Sequence, residues 1–131
     1  MNFAALADDW QYLLWGTFPE GPPGGALLTL LLCGISGVLS AIFGVVFGMA
    51  LVMGHGPWLH ALTAVLGFLR AIPVLMLIFW TYFLLPLLFG VDVPGLFSVV
   101  CALSLISGAY LAHGVAAGIR AIPGGQWQAG A

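Results

Sequence analysis

The sequence predicts an all-α fold, a polytopic bundle of transmembrane helices with three spans, and three observations carry that prediction. The chain of 131 residues is 63% hydrophobic and only 5% charged, whereas a soluble domain carries about 25% charged residues to wrap its core. Uncharged apolar runs recur that are long enough to cross a hydrocarbon layer of about 30 Å. Clusters of Gly and Pro punctuate these runs where a membrane chain would turn. Six formal charges cannot solvate a chain of this size, so most of it is surrounded by lipid or by other protein.

Residues 1–25 are an extracytoplasmic lead-in rather than a span. Trp10, Tyr12, Trp15 and Phe18 are rings of the kind that settle at a headgroup boundary. Gln11 to Trp15 is expected to form a short interfacial helix, ended by Pro19 and by the Pro22-Pro23-Gly24-Gly25 cluster. The first span follows, over about residues 26–53, with no charge in it. At about 1.5 Å per residue it reaches about 42 Å, enough to cross with tilt. Gly54-His55-Gly56-Pro57 then breaks the run.

Residues 57–70 read as a short helix lying along the interface, closed by a turn at Arg70-Ala71-Ile72-Pro73. Pro73 is well placed to open the next helix, because a helix start does not need its missing N–H. The second span is expected over about 73–90, with Pro86 near its end as a kink. The VDVPG turn leads into the third span, over about 96–119.

Charge gives the orientation. Three crossings put the 54–72 loop and the C-terminal tail on one side, and Arg70 and Arg120 both fall there. By the positive-inside bias that side is cytoplasmic, with the N-terminus outside. Asp8, Asp9, Glu20 and Asp92 all fall on the outer side. The first 25 residues hold no Lys or Arg, so no signal peptide is read there.

Several function classes drop out. There is no basic patch for nucleic acid and no lysine at all, which removes a P-loop for ATP and Schiff-base chemistry. No H-E-x-x-H, Cys/His cluster or G-x-S-x-G occurs, so neither a metal site nor a catalytic site is expected. Cys33 and Cys101 lie in apolar runs as buried small hydrophobes. His113, towards the cytoplasmic end of the third span, has two readings. It is a candidate functional ionisable group, or a neutral ring bonded to a neighbouring backbone carbonyl. Small residues recur at Cys33, Gly37, Ala41, Gly44 and Gly48, and again at Ser104, Gly108, Ala112 and Ala116, with Gly114-x-x-x-Gly118 beside them. They form either a seam for a second copy or packing within the chain.

Two stretches resemble a known family. FLRAIPVLMLIFWTYFLLP, from Phe68 to Pro86, is similar to the R-x-x-P-x-x-x-x-L-x-x-x-Y segment of permease subunits from polar amino-acid uptake ABC transporters. Its Met76 and Trp80 spacing is nearest the glutamate/aspartate type. Ala102 to Ala129 resembles the stretch through A-Y-x-A-E, G-I-x-A-(I/V)-P and G-Q-x-E-A-A, with Ala109-Tyr110, Gly118-Ile119, Ala121-Ile122-Pro123 and Gly125-Gln126-Trp127 in register. The chain departs at His113, where the family has an acid, and at Ala116 and Gly124, where it has basic residues. Gln128 and Gly130 replace the Glu and the second Ala of E-A-A.

The resemblance implies that residues 26–131 are the N-terminal part of a permease domain of about five spans in a bacterial inner membrane, cut within the E-A-A motif. It implies that Gly125, Gln126, Trp127, Gln128, Ala129 and Gly130 open a cytoplasmic loop that couples to an ATPase. The implied partners are an ABC ATPase subunit, a second permease subunit as homo- or heterodimer, a periplasmic amino-acid-binding protein and membrane lipid. ATP and Mg would sit on the ATPase, so no cofactor and no enzyme activity are expected of this chain. The alternative is a free-standing three-span protein that oligomerises or regulates a complete permease.

Overall fold

The computed structural model describes residues 7–130; residues 1–6 of the expected lead-in, and Ala131, lie outside the described residues. The chain divides into two compact units, residues 1–35 and residues 36–131. Both are helical, and the long helix α2, Gly25–Met53, runs from the first into the second.

In the first unit α1 spans Trp10–Trp15. It stops at Gly16, whose N–H donates to Tyr12 O at 2.8 Å, and not at the expected prolines. The following loop closes on itself. Gly16 pairs with Pro23, Gly24 N–H donates to Trp15 O at 3.3 Å, and Thr17 Oγ1 donates to Pro22 O at 3.2 Å. The prolines therefore shape the return of the chain and do not end the helix. Gly25, at φ 58°, brings its backbone against the Leu13 carbonyl, where a Cβ would collide. Trp10, Tyr12, Trp15 and Phe18 are each about half exposed, as an interfacial anchor requires.

In the second unit α3, Pro57–Ala71, begins with Pro57 in its first turn. Pro73 forces Ile72 into extended backbone (φ −80°, ψ 132°), so α3 ends there. α4, Val74–Phe79, continues through a π turn, Trp80–Leu84, into α5, Leu85–Phe89. Gly90 closes α5 in the left-handed conformation, with φ 64°. α6 then spans Gly95–Arg120, and a short α7 spans Gly124–Ala129.

Among the described residues two helices, α2 and α6, are long and apolar enough to cross a membrane. The expected second span at 73–90 is not, standing alone, since Val74–Phe89 reaches only about 24 Å. It meets α3 at 103°, and a third crossing exists if this bent pair counts as one span. Pro86 marks the irregularity at the end of the pair. Its ring would clash with the carbonyl four residues back, and the preceding π turn relieves that clash by widening the helix.

α2 and α6 run parallel. A Cβ on Gly44 would meet Leu111, and a Cβ on Gly48 would meet Val115, so the contacts advance together along both helices. From the elbow onward, Val74–Phe89 runs the other way. Tyr110 lies at Arg70, Thr81 at Ser98, and Tyr82 at Gly95. The core gathers Leu51, Leu66, Ala109, Ala112 and Ala116, with Phe47, Leu59, Leu62 and Leu69 packed against it.

The small residues serve this packing. On α6, Ser104, Gly108, Ala112 and Ala116 are buried as expected. On α2 the buried ridge is Ser36, Ser40, Gly44, Gly48 and Leu51, while Cys33, Gly37 and Ala41 are exposed. From Ser36 to Gly48 the buried ridge follows a step of four, which matches the step of four on α6 and lets the backbones approach. The reading of the stripe as packing within the chain therefore holds at Gly44, Gly48 and Gly108. Elsewhere α2 presents Leu30, Val38, Ile42, Val46 and Met53 outward, each more than half exposed, a surface suited to lipid or another apolar partner.

Candidate functional site

Of the expected functional residues, Arg120 and the Gly125–Gly130 segment lie where α2 and α6 finish, whereas His113 and, through Tyr110, Arg70 sit further back along α6. The last four carbonyls of any helix lack an intrahelical N–H. At the end of α2 one of them, Leu51 O, accepts a hydrogen bond from Arg120 Nη2 at 2.8 Å. The guanidinium thus caps a neighbouring helix at the end where its dipole is negative. Arg120 is the last residue of α6, so the bond holds the ends of two parallel helices level.

Arg70 makes the second link. It lies in the last turn of α3, and its guanidinium carbon sits 4.8 Å from the centre of the Tyr110 ring. This is a cation–π contact. Tyr110 Oη in turn donates to Arg70 O at 3.3 Å. One residue of α6 therefore holds both the charge and the backbone of the elbow that separates α3 from α4. Tyr110 stood in the sequence only as part of an Ala-Tyr pair. Its role depends on a partner forty positions away in sequence, and no local signal marks it.

His113 lies one turn beyond Ala109 on α6, with Nδ1 2.9 Å from Ala109 O. A carbonyl only accepts, so Nδ1 is the donor in this contact. The structure does not bring His113 into contact with Arg70 or Arg120 through a hydrogen bond.

The segment from Gly125 to Gly130 is placed differently. Ala121 N–H donates to Ala117 O at 3.0 Å and ends α6, and Pro123, with ψ 142°, turns the chain out of it. α7 follows as a helix with no buried residue, and Trp127 is 58% exposed on it. Gln126, Gln128 and Trp127 are available as donors, acceptors and apolar surface for a partner.

No family model matches the chain, and no solved structure matches it. Three curated proteins are similar to it. It is 30% identical over 105 residues to the arginine transport system permease protein ArtQ of Bacillus subtilis, covering 80% of this chain and 48% of that one. It is 35% identical over 106 residues to the probable glutamine ABC transporter permease protein GlnP of the same organism, with the same coverage. The inner membrane amino-acid ABC transporter permease protein YhdY of Escherichia coli is 31% identical over 114 residues, 29% of its length. The chain thus spans about half the length of the first two relatives.

Proposed function

We propose that this chain is transmembrane permease sequence of an ABC importer for polar amino acids, forming part of the substrate path and coupling to a separate ATPase. The observation that carries the proposal is the exposed helix α7 at the joined ends of α2 and α6, which with Gly130 at its end holds the Gly125–Gly130 segment that resembles a coupling motif. The three relatives, each named as a permease and aligned over about four-fifths of the chain, support it. A helix that stands clear of the bundle and is hinged to it at Pro123 suits a surface that docks into a cytoplasmic ATPase.

The parallel course of α2 and α6 supports three crossings. If both cross in the same direction, the chain between Met53 and Gly95 must cross back, and the bent pair is the segment that does so. The N-terminus is then outside, with Arg70, Arg120 and α7 cytoplasmic. Lipid surrounds the apolar outer face, and a second permease subunit and a periplasmic binding protein complete the transporter. ATP and Mg belong to the ATPase. A preference for glutamate or aspartate rests on the Met76 and Trp80 spacing, whereas two relatives carry the names of arginine and glutamine permeases; competition uptake assays with each amino acid separate these substrates.

The direct test is a photo-crosslinking residue at Gln128 in cells that express the chain from its native operon. An adduct with an ATPase subunit, lost when the crosslinker is moved to Leu30 on α2, is the expected result. Absence of any ATPase adduct from both Gln128 and Trp127 contradicts the coupling role. The free-standing alternative drew on the small-residue stripe and on the charges lost from the coupling motif; the stripe packs inside the chain at Gly44, Gly48 and Gly108.

A further inference from the structure

The lead-in carries more than an anchor needs. Trp10, Tyr12, Trp15 and Phe18 line one cleft of about 640 Å³ together with Asp8 and Asp9. A second cleft of about 660 Å³ shares Tyr12 and Phe18 with the first and contains Glu20. Three of the chain's four carboxylates therefore stand among exposed rings, in a unit, residues 1–35, whose sequence has no Lys or Arg. Rings alone suffice for an anchor at a headgroup boundary, and carboxylates among them add nothing to it. Helix capping does not use Asp9 either. It occupies the position before α1, yet its side chain makes no capping hydrogen bond. The apolar side of α1 is elsewhere, with Leu14 in a separate recess of about 130 Å³ formed with Leu27 and Leu30.

The walls of the clefts are held in place. Gly21 N–H donates to Thr17 O at 2.8 Å, inside the loop that the Gly16, Thr17 and Gly24 contacts already close. Carboxylates beside ring faces suit an organic cation, because the acids attract its charge and the negative face of each ring does the same. Such a cation has three sources: a lipid ammonium headgroup, a free basic amino acid, or a basic side chain within a protein. The first brings a phosphate with it and the second an α-carboxylate. Either anion would face the carboxylates of a unit that has no basic side chain to receive it. A Lys or Arg within a polypeptide carries its charge at the end of an apolar stem, with no anion attached. Charge complementarity therefore selects the protein.

We infer that these two clefts dock a basic segment of a protein partner on the lead-in's side of the membrane, with a Lys or Arg side chain seated between the acids and the rings of Tyr12 and Phe18. The clefts share those rings, so a segment with two basic residues can occupy both. The inference uses the first unit alone and stands independently of the transport reading.

Binding of the capped peptide acetyl-Gly-Arg-Gly-Arg-Gly-amide to the full chain in dodecyl maltoside, a detergent without charge, tests it by surface plasmon resonance. Saturable binding is expected, weakened by added salt and absent for the same peptide with Glu in place of Arg. The double variant Asp8→Asn, Asp9→Asn should weaken it by about threefold or more, and Tyr12→Leu by about two- to fivefold. Asp8, Asp9 and Tyr12 are all exposed, so these substitutions leave the packing of the chain in place. No saturable binding overturns the inference, as does binding that both variants leave unchanged. Phosphocholine or free arginine competing as well as the peptide would assign the clefts to a headgroup or to a free amino acid, and would overturn the protein partner.

Discussion

Glycines divide the second unit into packed and open positions, and they can be distinguished one by one. An added Cβ would stand 2.7 Å from Val115 at Gly48 and 2.8 Å from Phe43 at Gly108, whereas Gly114 and Gly118 have nothing within 4 Å. Gly48→Ala and Gly108→Ala are therefore expected to destabilise by about 1–3 kcal/mol, the usual cost of overpacking. Gly114→Ala and Gly118→Ala should be neutral or stabilise by up to about 1 kcal/mol through helix propensity. Denaturation of the four variants in detergent checks both halves, and equal losses at all four would mean that α2 and α6 do not pack in this register. At Tyr110 the ring and the hydroxyl do separate work. Tyr110→Phe keeps the cation–π contact and is expected to lose only the bond to Arg70 O, about 0.5–1.5 kcal/mol. Tyr110→Ala loses both and should fall further in the same assay.

At the scale of elements, the long helices were legible because their signals are local. Unbroken apolar runs bounded by Gly25 and Gly54, and by Pro94 and Arg120, place α2 and α6 within a residue of their observed ends. The phase of the α2 ridge was not legible. Serine and glycine are both small, and only the opposing step on α6 decides that Ser36 and Ser40 face inward while Gly37 and Ala41 do not. Pro86 announced an irregularity, but a kink and a π turn are alternative ways to free the same carbonyl, and packing on α6 selects between them. Pro86→Ala restores an N–H and removes the ring clash, so the π turn is expected to relax to α-helix. Hydrogen exchange should then slow over residues 82–88, and unchanged protection there would show that Pro86 is not the cause.

For the whole molecule, the sequence located the charged and polar residues of the candidate site but not how they join. The expectation that Arg70 and Arg120 share one side came from charge bias alone, which needs no structure. Tyr110 as the seat of Arg70, and Leu51 O as the acceptor of Arg120, appear only once helices distant in sequence are packed. The proposed function depends on an odd number of crossings, which puts α7 opposite the lead-in. Cysteine accessibility at Glu20→Cys and Gln128→Cys in intact cells, in a background with Cys33 and Cys101 replaced by Ser, measures this directly. The expected result is that a membrane-impermeant maleimide labels position 20 in intact cells and position 128 only after lysis. Labelling of both from the same side would mean two crossings, and would contradict the assignment of the bent pair as a span and of α7 as a cytoplasmic coupling helix.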